Sequence, residues 1–167
     1  LSDQQYRDVE DYTREVEGKV VAVIGAALRD LQPARLSFGH GEANFGVNRR
    51  RKPEQGAAVS FVPNPQGSVD PDVPVLRVES DQGQLRGVVF GYACHSSTLL
   101  SDNYRFSGDY AGFAQEWLEQ QHPDAVAFFV QGCGGDIMAS PRGTVELARQ
   151  YGEMLGTSAD KVIRSRM

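Results

Sequence analysis

Two strand-like runs, residues 85–93 and 125–130, bracket a helical pattern, and each runs into a loop of distinctive chemistry. The first ends in Cys94-His95-Ser96-Ser97-Thr98 and the second in Gln131-Gly132-Cys133-Gly134-Gly135-Asp136. In a strand–helix–strand unit with parallel strands, the crossover returns the chain to its starting end, so both loops open on the same sheet edge. Open α/β folds build their sites at that edge. The expected class is therefore α/β, with a mixed β-sheet containing one hairpin and one parallel βαβ crossover, and helices packed on the sheet. An imidazole, a glycine-rich turn and a carboxylate then share one rim, an arrangement suited to hydrolysis or to a metal.

The rest of the chain fits around this unit. Residues 3–31 read as one long amphipathic helix, with apolar side chains three or four apart from Tyr6 to Leu31, Ser2 or Asp3 as cap, and Gln32-Pro33 as terminator. A short strand is expected over 34–38, continuing as strand or loop through 39–46. The polar stretch 48–67 reads as a long excursion. Residues 73–79 and 85–93 form a hairpin around a glycine-containing loop. A helix is expected over 109–121, capped by Ser107 or Asp109, and another from 144 to about 164. The unbroken apolar run 125–130 reads as a strand buried on both faces, near the middle of a covered sheet.

With 167 residues and a net charge of −5, the chain has room for a single domain, 1–167, and no electrostatic reason to hold nucleic acid. No apolar run approaches the roughly 20 residues of a membrane span. The polar, acidic start at Leu1 does not read as a signal peptide, and a start without Met suggests a piece of something longer. Two cysteines, Cys94 and Cys133, are too few for a disulfide scaffold. They read as two buried small apolar side chains, with a disulfide as the alternative if the two strands are neighbours.

Several residues suit chemistry, and each has a plainer reading. His95 can be a zinc ligand or general base, or a histidine held in a turn. Gly134 and Gly135 can aim backbone amides at an anion, or serve a tight turn needing positive φ. Asp136 can orient His95, hold a metal or cap the loop. In Asn48-Arg49-Arg50-Arg51-Lys52 a guanidinium can grip a carboxylate or phosphate, or the run can be a solvated loop. The Asp109 carboxylate is most simply a helix cap. His40 and His122 read as uninvolved, although His40 lies in a stretch that could reach a pocket.

Taken in order, Val47-Asn48-Arg49-Arg50, Asp72-Val73-Pro74-Val75-Leu76-Arg77-Val78, Ala93-Cys94-His95-Ser96-Ser97-Thr98, Ser107-Gly108-Asp109-Tyr110-Ala111-Gly112 and Phe129-Val130-Gln131-Gly132-Cys133-Gly134-Gly135-Asp136-Ile137 resemble the neutral, non-lysosomal ceramidases. The resemblance covers residues 30–156 approximately. It implies a zinc amidase acting on N-acyl sphingosine or a related lipid-like amide, with zinc as cofactor and a secreted or periplasmic setting. It implies that His95 is a zinc ligand, that Asn48 and Arg49 belong to the substrate-binding region, and that Gly134, Gly135 and Asp136 lie in the catalytic loop.

The chain departs from that pattern in one informative place. The family's catalytic serine stands in a Gly-Asp-Val-Ser-Pro-Asn type of motif, and here Met138 takes its position, with Ser140 two residues late. A thioether cannot be deprotonated to attack a carbonyl, so attack by metal-activated water is the natural variant. The resemblance also places a second zinc histidine before Leu1 and carboxylate and tyrosine ligands after Met167. It therefore implies a fragment of a larger zinc-hydrolase domain, whose closest partner is the remainder of its own catalytic domain. Such a fragment is expected to expose apolar surface. The alternative reading is a catalytically inactive ceramidase-like domain that binds a ligand or partner.

Overall fold

A computed structural model describes residues 2–51 and 60–165. The chain divides into two compact units, Leu1–Pro33 and Ala34–Met167. The first unit is essentially one helix, α1 (Asp3–Arg29). Ser2 caps it in a reciprocal box: its Oγ accepts from the Gln5 amide, while the Gln5 side chain accepts from the Ser2 amide. This satisfies two donors that a helix start leaves open. The helix stops at Arg29, two residues before the expected end. The Asp30 amide still donates to Ala26 and Ala27.

The second unit is built on a four-stranded sheet of β1 (Ala34–Glu42), β5 (Asp72–Ser80), β6 (Leu85–Tyr92) and β7 (Val126–Gln131), in the order β1-β5-β6-β7. β1 pairs antiparallel with β5, and β5 with β6, so the expected hairpin is present, with a register shift at Val78/Glu79. β6 and β7 pair parallel, joined through α2 (Asp109–Gln121). Two small ladders complete the unit: β2 (Gly46–Asn48) with β8 (Ile137–Ala139), and β3 (Arg50–Arg51) with β4 (Ser60–Phe61). Of the basic run 49–52, Lys52 lies outside the described residues.

The core lies between the sheet and the two helices α2 and α3 (Val145–Arg164). Val73, Val75, Val88, Phe90 and Ala127 face it from the strands, and Tyr110, Ala114, Leu118, Leu155 and Ala159 from the helices. Glycines let the helices approach. A Cβ at Gly152 would stand 2.5 Å from the Phe113 Cβ, and one at Gly156 2.7 Å from Trp117. Thr144 caps α3 through its Oγ1, which accepts from the Leu147 amide.

β7 corrects an expectation. It is an edge strand among the described residues, not a central one, and its outer side chains are exposed. Phe38, Leu76, Val89 and Phe128 lie in register across the outer face, and Phe38 and Phe128 are 57% and 55% exposed. An apolar run without alternation signals two apolar faces. Here only the inner one is covered. No helix among the described residues is long and apolar enough to cross a membrane.

Candidate functional site

The parallel pairing of β6 and β7 delivers both reactive loops to one rim. His95 follows β6 by three residues and forms a parallel bridge with Met138, its amide donating to Ile137 at 3.1 Å. The β2–β8 ladder brings in a third segment, since Asn48 stands opposite Ile137. The next amide, that of Arg49, donates to Asp136 at 2.7 Å. Residues far apart in sequence thus converge on one cluster.

Within it, the Arg49 Nη2 lies 3.0 Å from His95 Nε2, and the same guanidinium donates to the Gly135 carbonyl at 3.0 Å through Nη2 and 3.3 Å through Nε. Arg50 adds a longer bond to the same carbonyl, 3.4 Å. A guanidinium only donates, so in this contact Nε2 of His95 is the acceptor, its lone pair turned to Arg49. Asn48, 6% exposed, donates through Nδ2 to Asp136 Oδ2 and to the Ser68 carbonyl, both at 3.0 Å, and accepts from the Arg50 amide. Gly67 must be glycine for this, since a Cβ there would come within 2.5 Å of the Asn48 side chain.

Three expectations change. The Asp136 carboxylate bonds to Asn48, while His95 Nε2 meets Arg49, because the β2–β8 ladder inserts residues 48 and 49 beside the loop. The glycine loop is not a pocket of outward amides. Gly132 donates to Tyr92, Gly134 to Gly132 and Ile137 to Gly134, while Gly135 offers its carbonyl. Nor do Gly132, Gly134 or Gly135 adopt positive φ. Close approach explains Gly132 and Gly134 instead, for a Cβ at Gly134 would lie 2.6 Å from the Cys94 amide nitrogen and one at Gly132 3.1 Å from Ala93, whereas one at Gly135 would meet open space.

The two cysteines are free and differ: Cys94 is buried and Cys133 exposed. Burial pushes the Cys94 thiol up to about 12, against a lowering hydrogen bond with Tyr110. Met138 is 2% exposed in β8, and Ser140 donates its amide to Phe45. His40 pairs with Asp72 and His122 with Asp160, both outside the cluster.

An aromatic group that sequence reasoning did not assign supports the rim. The Tyr92 hydroxyl accepts from Gly46 and donates to Ala43, fixing the approach to β2. Phe45 packs among Tyr92, Tyr110 and Tyr151, stacking on the last at 4.7 Å. The Ser97 and Thr98 hydroxyls are buried beside His95 with no hydrogen-bond partner among the described residues. Arg50, Arg51, Asn64 and Gln66 line an open cavity next to the cluster. A larger one between β1 and α3, lined by His40, Glu153 and Lys161, shares no residue with it.

One imidazole is not a metal site, and the described residues contain no group of three or more His, Cys, Asp or Glu able to hold an ion. His95 fits as a single donor from its half-buried place on the rim, where an ion at Nε2 would have to displace the Arg49 contact.

Comparison with known proteins gives a consistent result. The profile of neutral/alkaline non-lysosomal ceramidase, N-terminal, matches residues 4–151. A neutral ceramidase of Pseudomonas aeruginosa is 30% identical over 130 residues, 73% of this chain and 18% of that protein. One from Mycobacterium tuberculosis is 28% identical over 134 residues, 71% of this chain and 20% of the relative. The chain thus spans about a fifth of the length of these relatives. The crystal structure of the Pseudomonas aeruginosa neutral ceramidase superposes with a TM-score of 0.68 at 25% identity, over 85% of this chain and 24% of its own. A second structure, of a ceramidase complexed with C2, shares the fold at a TM-score of 0.60 and 23% identity, over 78% of this chain and 22% of its own. With the match running through the strands, the crossover and both rim loops, this chain belongs to the neutral/alkaline non-lysosomal ceramidase family, within its N-terminal region.

Proposed function

We propose that this chain forms the His95-bearing part of a zinc-dependent amide hydrolase acting on N-acyl sphingosine or a related lipid-like amide. The observation that carries the reading is the convergence of His95, Arg49 and the 135–136 turn at one rim. A zinc ion, when bound, polarises an amide carbonyl and makes water nucleophilic near neutral pH. In this chain His95 would supply one ligand. The remaining ligands would come from elsewhere in the parent protein.

The other residues have roles that follow from their contacts. Arg49 and Arg50 concentrate positive charge at the rim, with donors suited to a substrate oxygen. Gly135, through its carbonyl, sets where the Arg49 guanidinium lies. Asp136 and Asn48 brace each other and thereby hold the backbone on either side of Arg49. No nucleophile comes from position 138, whose thioether is buried. Met138 in the place of the family's serine keeps, as a second reading, a ceramidase-like domain that binds a ligand without catalysis.

Zinc content decides between them. In the longer protein, His95→Ala is expected to abolish stoichiometric zinc and amide hydrolysis together. Unchanged zinc would refute the ligand role. A wild-type longer protein that holds no zinc would favour the binding domain. The 167-residue chain alone is expected to bind zinc weakly, because one imidazole competes poorly with water and buffer.

A further inference from the structure

The start of α2 does not cap itself in the ordinary way. Gly108 is the N-cap residue and no side chain caps it. Asp109 has a φ of +53°, in the left-handed region that few residues other than Gly, Asn and Asp occupy. It is also 6% exposed, which is rare for a carboxylate. Its contacts account for both features. Oδ1 accepts from the Tyr110 amide at 2.7 Å, and Oδ2 reaches back across the fold to accept from the Leu99 amide at 2.8 Å. Ser107 Oγ accepts from the Asp109 amide at 3.0 Å and steadies the strained turn.

Tyr110, fully buried, donates its hydroxyl to the Cys94 carbonyl. Two consecutive residues therefore grip the two ends of segment 94–99, at Cys94 and at Leu99. His95 lies between those grips. The segment has no ladder of its own beyond the bridge of His95 to Met138. The Leu99 amide is instead held by a side chain from another element.

We propose that Asp109 and Tyr110 are positioning residues, a two-point clamp that holds the His95 loop in one conformation. A strained, buried acid at a helix start is unnecessary for capping, since an exposed Ser or Asp at the cap position does that without strain. It is explained by the reach to Leu99. A ring held in one place presents its nitrogen without first being ordered, and residues that orient a ligand commonly set affinity 10–100-fold (roughly) in this manner. The functional consequence rests on His95 being a metal ligand. The clamp itself does not.

The test uses nuclear magnetic resonance on the isotopically labelled chain, without metal. Asp109→Ala is expected to speed hydrogen exchange at the Leu99 amide about tenfold and to shift or broaden the His95 ring signals, with α2 and α3 amides still protected. Asp109→Asn tolerates the left-handed backbone but keeps one acceptor for two amide donors, so it should restore the His95 signals only in part. Tyr110→Phe should move them with α2 intact. The clamp is overturned if Asp109→Ala leaves both Leu99 exchange and the His95 ring unchanged. If Asp109→Ala does not fold, Tyr110→Phe decides: an unmoved His95 ring overturns the proposal. Retention of zinc by His95→Ala in the longer protein would remove the metal reading while leaving these signals valid.

Discussion

Arg49 Nη2 stands 3.0 Å from His95 Nε2, a cation donating to the nitrogen of a ring that could itself carry charge. The contact requires a neutral imidazole with its proton on Nδ1. Where the His95 ring of the metal-free chain is neutral, its nitrogen resonances should therefore show the Nδ1–H tautomer. Arg49→Ala should release that preference. Detection of the Nε2–H tautomer in the unmutated chain would contradict the contact.

Asn48 ties β2, the Asp136 turn and the 64–68 loop together. Asn48→Ala leaves buried partners unsatisfied and is expected to cost about 1–3 kcal/mol in chemical denaturation. Asn48→Asp should cost more, because it loses both amide donors and sets a carboxylate against Asp136. Equal midpoints for wild type and Asn48→Ala would mean the side chain is dispensable.

The helix pair offers a steric test. Gly152→Ala places a methyl against the Phe113 Cβ and the Ala114 backbone, and backbone cannot yield as a flexible side chain does. The expected loss is about 1–3 kcal/mol. A gain in stability, as helix propensity alone would produce, would show that α2 and α3 do not approach so closely.

Asp160 supplies a pH signature. Burial raises its pKa, but hydrogen bonds and charge from Arg164 and His122 outweigh that and hold it below its ordinary value of 3.8. A depressed carboxylate adds stability above the unfolded value, and that stability disappears as pH falls through the lower folded value. Asp160→Asn should accordingly lower the melting temperature at neutral pH, with the gap to wild type narrowing below pH 3.8. A gap of constant size down to strong acid would exclude this linkage.

Thiol labelling separates the cysteines. One equivalent, at exposed Cys133, is expected to react in the folded chain, and a second, at buried Cys94, only on unfolding. Two fast equivalents would place Cys94 at the surface.

Periodicity and motif order settled a good deal in advance. The spacing of Tyr110, Ala114 and Leu118 and of Ala148, Leu155 and Ala159 set two core-facing helices, since a stripe that recurs every three or four residues can bury only one side. The glycine-containing loop at 81–84 set the hairpin, and the β6–α2–β7 order set the crossover that delivers His95 and Asp136 to one rim. These are local or near-local properties, encoded in side-chain period and turn chemistry. Which residue meets which was decided only by the folded chain. Arg49 reaches His95 because the β2–β8 ladder places residue 48 opposite residue 137, a pairing of two three-residue strands too short to carry a pattern. Gly134 is glycine because the Cys94 backbone passes close to it, and Asp109 joins its own helix start to Leu99. Each depends on distances between distant segments, which no local sequence period encodes.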